Sequence, residues 1–206
     1  MTFPDQKYTS MSDYVTAYGE QMADAWASLD GAAVGRAADL LAGVIGAGNL
    51  VYACGNGGSA AISNHLLCDF AKGIQTDTVL KPRVVSLSSN IEIITAIAND
   101  IAFEDVFVYQ LKTMAKAGDL LITVSSSGDS ENVVRALEWA TGNRLKTVAL
   151  TGFGGGRTSN LADVNIHVGG DNYGVIEDMH QSVMHMLAQY LRLQAMDEGL
   201  IAERKF

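Results

Sequence analysis

Cysteine and proline are scarce here, with two of each in 206 residues. Cys54 and Cys68 match neither a disulfide framework nor the spacing of a zinc knuckle, so no covalent or zinc staple is expected. So few prolines, with 48% hydrophobic residues, exclude a largely disordered chain. No apolar run approaches the roughly 20 residues that a bilayer-spanning helix needs, and no membrane partner is expected. Met1 is followed by polar residues rather than by the basic and apolar regions of a secretory signal, so a cytoplasmic location is expected. Basic residues are outnumbered, 14 Lys and Arg against 23 Asp and Glu, for a formal net charge of −9. That balance argues against broad nucleic-acid binding. It also makes any phosphate site depend on backbone dipoles rather than lysines. There is no internal repeat and no low-complexity segment, and the length fits a single domain with a sizeable core.

What is present is glycine and serine in two telling places. Gly55-Asn56-Gly57-Gly58-Ser59 follows the apolar run Leu50–Cys54, and Ser125-Ser126-Ser127-Gly128-Asp129-Ser130 follows Leu120–Val124. Each reads as a buried strand entering a small-residue loop that opens a helix. Such a loop offers backbone N–H groups, hydroxyls and the positive end of a helix dipole to an anion. Two of them suggest one phosphorylated ligand at the C-terminal edge of a parallel sheet. Asp129 counts against a phosphate unless it points away. The glycines 154–156 have no partner motif and read as a flexible turn.

Around these loops, apolar periodicity predicts two helices within residues 10–48, broken at Leu29-Asp30-Gly31. Strands are expected at 50–53, 83–87, 120–124, 147–151 and 164–168. Helices are expected at 59–72, 91–98, 104–117, 130–141 and 176–194. This alternation predicts an α/β fold around a parallel sheet. The last helix is apolar over most of its girth, which suggests a subunit interface formed with the N-terminal helices; burial within one subunit is the plainer alternative.

His65 and Asp69 are four apart on one predicted helix; Glu177, His180 and His185 share another. These groups permit a mixed N/O divalent-metal site, an acid/base pair near a carbonyl, or merely isolated polar contacts.

The ordered set Gly55-Asn56-Gly57-Gly58-Ser59-Ala60-Ala61, His65, Ala96-Ile97-Ala98-Asn99-Asp100, Gly118-Asp119-Leu120-Leu121, Ser125–Ser130 and Leu150-Thr151-Gly152 resembles the sugar-isomerase (SIS) domain family, and within it the phosphoheptose isomerase branch. The resemblance implies a three-layer α/β sandwich with a five-stranded parallel sheet of flavodoxin-like topology. It implies one SIS domain over 1–206, with the core at 50–196 and the helices of 1–48 used for assembly. A homotetramer with active sites between subunits is also implied.

By position, Ser59, Ser125, Ser126, Ser127 and Ser130 match the phosphate cradle, together with Gly57 and Gly58 of the first loop. Asn56, Asn99, Asp100 and Glu177 match substrate-binding positions. His65, Asp69, Glu177 and His185 match a divalent-metal set, expected to hold zinc. Asp69 falls where the family carries a catalytic glutamate and His185 on its catalytic histidine; His180 matches a further histidine of that helix. Glu177 stands for a family glutamine. Ile62 stands where an aspartate is common, and Gly174-Val175 where an Asp-Arg pair is, which bears on the identity of the sugar. Shortening Glu to Asp matters, since a misplacement of about 1 Å can cost on the order of 100-fold in rate.

The expected function is aldose–ketose isomerisation of a sugar phosphate, sedoheptulose 7-phosphate to D-glycero-D-manno-heptose 7-phosphate, through an enediol. Asp69 is the base and His185 its partner. If a metal engages all four side chains, Asp69 is not free and a water at the metal takes its place. The alternatives are a non-catalytic phosphosugar-binding adaptor of the replication-initiation type and an SIS isomerase of another sugar phosphate.

Overall fold

A computed structural model describes residues 2–206. Five parallel strands run in the order β2-β1-β3-β4-β5, with β1 at Leu50–Cys54, β2 at Arg83–Ser86, β3 at Leu120–Ser125, β4 at Lys146–Thr151 and β5 at Val164–His167. The expected α/β sandwich with flavodoxin-like strand order is therefore present. The strands β1, β3 and β4 are buried along nearly their whole length, because helices cover both faces of the sheet.

Alternation along each strand sends side chains to two separate cores. Val51, Ala53, Leu120, Ile122, Val124, Val148 and Leu150 face α2 (Gly31–Gly46), α3 (Gly58–Cys68) and α8 (Tyr173–Ala195). Tyr52, Cys54 and Leu121 face the other layer, made of α4 (Ile91–Asp100), α5 (Val106–Met114) and α6 (Glu131–Gly142). The helix α1 (Met11–Ala27) lies outside this sandwich and packs Ala25 against Val175, Ile176 and Met179 of α8.

Two short helices that periodicity did not reveal, α7 (Thr158–Leu161) and α9 (Glu198–Ile201), are each one turn long. The expected continuous helix over 59–72 changes form part-way: α3 passes into a π-helical segment at Asp69–Ile74, which keeps Phe70 and Ile74 fully buried. Such wide turns recur at functional sites, and this one begins on a candidate catalytic residue.

The girth of α8 has an explanation within one chain. Its buried residues Val183, Met184, Leu187, Ala188 and Leu191 join the core shared by α2, α3 and the sheet, while Val175, Ile176 and Met179 meet α1. The apolar coverage of α8 therefore needs no partner subunit. The exposed apolar side chains lie chiefly elsewhere, on α1 (Met11, Val15 and Trp26) and on and just after α4 (Ile91, Ile93, Ile101 and Phe103). No helix among the described residues is long and apolar enough to cross a membrane.

Candidate functional site

Strand order reverses between β1 and β3, so the loops leaving their C-terminal ends diverge and open a crevice. The two Ser/Gly stretches are those loops. A cleft of about 140 Å³ between them is lined by Asn56, Ser59, Ser125, Ser126, Ser127, Ser130, Tyr173 and Glu177.

Among the helices of ten or more residues, the two that open onto the cleft are the ones without a side-chain cap. The helices α1, α2, α4 and α8 are each closed by a side chain of the preceding residue, Ser10, Asp30, Asn90 and Asn172, accepting a first-turn N–H. The helices α3 and α6, which open onto the cleft from Gly57 and Ser130, have no side-chain cap. Their N-terminal dipoles point into the crevice without a capping side chain. The buried Ser126 hydroxyl also has no hydrogen-bond partner, as expected of a group whose partner is a ligand. Its neighbours are engaged in shaping the loop: Ser125 Oγ accepts from Gly128 N at 3.1 Å and Ser127 Oγ from Asp129 N at 3.2 Å.

Two supports hold the cradle together. Asn56 and Asn132 exchange reciprocal amide hydrogen bonds, both 2.9 Å, which clamp the first loop to the first turn of α6. The glycine run after β4 packs under the serine loop: Gly152 N donates to Ser126 O at 2.9 Å, and Thr158 N to Gly128 O at 3.0 Å. Gly128 and Gly156 both have positive φ, +66° and +56°, and a Cβ on either would collide with the other loop. The run read as a flexible, partnerless turn is thus a packed support. Asp129 does point away, because Arg157 binds it through both its backbone N–H (3.0 Å) and its guanidinium (3.1 Å), which holds the carboxyl below its usual range.

Further along α3, the imidazole of His65 and that of His185 on α8 meet, with Nε2 atoms 3.2 Å apart. Asp69 spans them, one oxygen 3.4 Å from His65 Nε2 and the other 3.3 Å from His185 Nε2. Three donors converging on one point can satisfy only part of their demand by sharing protons; a divalent cation satisfies all of them. The group has the borderline N/O character that suits such an ion. These residues therefore fit a metal.

Not every expected site residue joins these two centres. The carboxylate of Glu177 is not in the His65–Asp69–His185 group. It lies against Gly58, where a Cβ would strike it, and so belongs to the cleft. Burial, and then the adjacent Asp178, push its carboxyl above the usual range. Asn99 and Asp100 end α4 on the surface, bonded to each other at 2.7 Å, and do not line the cleft. His180 is fully buried, its Nε2 3.1 Å from Thr151 O, far into the packing between α8 and β4. Sequence reasoning missed Gln181, whose amide is 2.9 Å from His185 Nε2, along with Asn132 and Tyr173. The i, i+4 spacing of Gln181 and His185 carried a signal for the first of these.

The family pattern described as SIS domain matches residues 13–152. A phosphoheptose isomerase from Colwellia psychrerythraea is 37% identical over 155 residues, which cover 74% of this chain and 79% of the relative. The chain belongs to the SIS-domain family. Another phosphoheptose isomerase, from Akkermansia muciniphila, is 36% identical over 183 residues, 87% of this chain and 95% of that protein. In three dimensions this SIS domain superposes on a phosphoheptose isomerase from Neisseria gonorrhoeae with a TM-score of 0.81 at 28% identity, covering 88% of this chain and 98% of that one. One from Francisella tularensis also gives 0.81 at 28% identity, covering 90% of this chain and all of that one. In this SIS domain Ile62 and Val175 are core residues, 5% and 2% exposed. These two side chains therefore bear on packing rather than on the wall of the cleft.

Proposed function

We propose that this protein is a phosphoheptose isomerase, converting sedoheptulose 7-phosphate to D-glycero-D-manno-heptose 7-phosphate by proton transfer through an enediol. The observation that carries the reading is that the uncapped loop cleft and the His65–Asp69–His185 group occupy two ends of one helix, α3. Relatives named phosphoheptose isomerase at 36–37% identity support it.

Scale supports it too. Ser59 and His65 are six residues apart, roughly 9 Å along the helix axis at about 1.5 Å per residue. From the carbonyl carbon C2 to the phosphorus, a 7-phosphate spans seven bonds. At about 1.25 Å of advance for each bond of roughly 1.5 Å, that is also close to 9 Å. The phosphate is held by the N-termini of α3 and α6 with Ser59, Ser125, Ser126, Ser127 and Ser130. Tyr173, Asn56 and Glu177 flank the middle of the sugar, where the Glu177 carboxylate accepts from hydroxyls.

At the carbonyl end, Asp69 takes the proton adjacent to the carbonyl and His185 delivers one to the neighbouring carbon or oxygen. A divalent cation, zinc by the preference of two imidazoles for it, would be held by these same His65, Asp69 and His185 atoms and would polarise the carbonyl; with it bound, Asp69 and His185 would no longer be free for proton transfer and a water at the site would take that part. The expected division at residue 48 moves: α2 packs Ala37, Leu41 and Val44 on the sheet and belongs with the catalytic core, and α1 is left as the assembly helix. A cytoplasmic homotetramer fits the exposed apolar side chains of α1 and α4 and the two free cysteines.

The test is turnover of sedoheptulose 7-phosphate beside pentose and hexose phosphates. The heptose is expected to be the preferred substrate, and Asp69→Asn and His185→Ala are each expected to lower kcat/KM by at least about 100-fold. Tight binding of the heptose phosphate with no turnover would favour the adaptor instead.

A further inference from the structure

We propose that Gln181, and not Glu177, is the fourth donor of the metal centre in this chain. The inference rests on the isomerase reading above and deepens it. Glu177, Gln181 and His185 are spaced four apart on α8 and so share one face. One of the first two can stand beside His185 at the metal. Gln181 is one turn away, about 6 Å along the axis, while Glu177 is two turns away, about 12 Å.

The distances choose between them. The Gln181 amide is 2.9 Å from His185 Nε2, His185 Nε2 is 3.2 Å from His65 Nε2, and Asp69 oxygens lie 3.4 and 3.3 Å from the two imidazoles. Donors bound to one ion at about 2.0–2.2 Å stand roughly 2.8–3.1 Å apart at octahedral angles and 3.3–3.6 Å apart at tetrahedral ones. All four separations fall in or beside those windows. The Gln181 oxygen and nitrogen are interchangeable by rotation of the amide, so the carbonyl can face the ion while the NH₂ turns outward.

Glu177 is committed elsewhere, its carboxylate packed on Gly58 at the opposite end of α3 from His65. No side chain larger than glycine fits at 58 with Glu177 in that place. The donor set is then two imidazoles, one carboxylate and one neutral amide, and the second carboxylate is left to the sugar cleft.

The test is Zn²⁺ affinity of the full-length protein, measured by competition with a chromophoric chelator, together with the visible spectrum of the Co²⁺-loaded form. Gln181→Ala is expected to weaken Zn²⁺ binding by about 10–100-fold and to alter the Co²⁺ bands. Gln181→Glu restores affinity, which separates lost ligation from misfolding. Glu177→Ala, which leaves no donor at that position, is expected to leave both readouts within about twofold of the parent. The proposal is overturned if Gln181→Ala leaves Zn²⁺ binding unchanged, if Glu177→Ala weakens it as much as Gln181→Ala does, or if the parent protein binds no Zn²⁺. Turnover of sedoheptulose 7-phosphate by the parent is scored separately. Turnover with the donor pattern reversed sinks the ligand assignment alone, and absent turnover sinks the isomerase reading.

Discussion

Two histidines on α8, five residues apart, do opposite work. His185 sits at the surface with His65 and Asp69, while His180 is shut between α8 and β4. Burial lowers the His180 pKa to about 4; the hydrogen bond to the Thr151 carbonyl opposes this, and nearby His167 adds to it. A buried imidazole held neutral in the fold but ordinary when unfolded binds a proton more readily in the unfolded chain. Its contribution is therefore complete above pH 6.5 and is lost as pH falls from 6.5 towards 4. The total is on the order of 3 kcal/mol. Denaturant unfolding of the parent and of His180→Gln across that range checks this. The parent is expected to lose stability more steeply than the variant, and parallel slopes would contradict the assignment. Sequence could place His180 on the helix but could not tell it from His185, because the difference lies in what α8 packs against.

At the scale of elements, the cradle depends on one loop being fastened to the next. Asn132→Ala removes both bonds of the amide pair and leaves Asn56 without its partner. The expected cost is about 1–3 kcal/mol in stability. Because the two loops then move independently, KM for the phosphosugar is expected to rise several-fold with a smaller change in kcat. Steady-state kinetics checks this, and an unchanged KM would mean that the clamp does not position the phosphate. Asn132 has no sequence signature: it is an ordinary second helical residue until α3 and α6 are brought side by side.

The loops themselves were legible, since an apolar run followed by small residues and then a helical pattern admits few structures. The strands and their order of appearance were legible for the same reason. The π-helical turn at Asp69 and the packing of Gly156 under Gly128 were not, because each is decided by residues distant in sequence. The placement of Glu177 at Gly58 escaped for that reason as well. Counting along α8 allowed it to reach the metal, and only the approach of α3 shows where it goes.

Across the whole molecule, the parallel sheet sets the positions of both centres. Its reversal between β1 and β3 opens the cleft, and α3, starting from that cleft, carries His65 and Asp69 to meet α8. The net charge of −9 leaves the cleft reliant on helix dipoles and hydroxyls, and Arg157 is turned away onto Asp129 and Glu131. An anion held in this way is recognised by geometry more than by long-range attraction.

The most direct measurement is a crystal structure of the protein with sedoheptulose 7-phosphate bound. The account predicts the phosphate between the N-termini of α3 and α6, within hydrogen-bond distance of Ser59, Ser126 and Ser130, and the carbonyl end beside His65, Asp69 and His185. A phosphate bound away from those serines, or a sugar extending away from the two histidines, would contradict it.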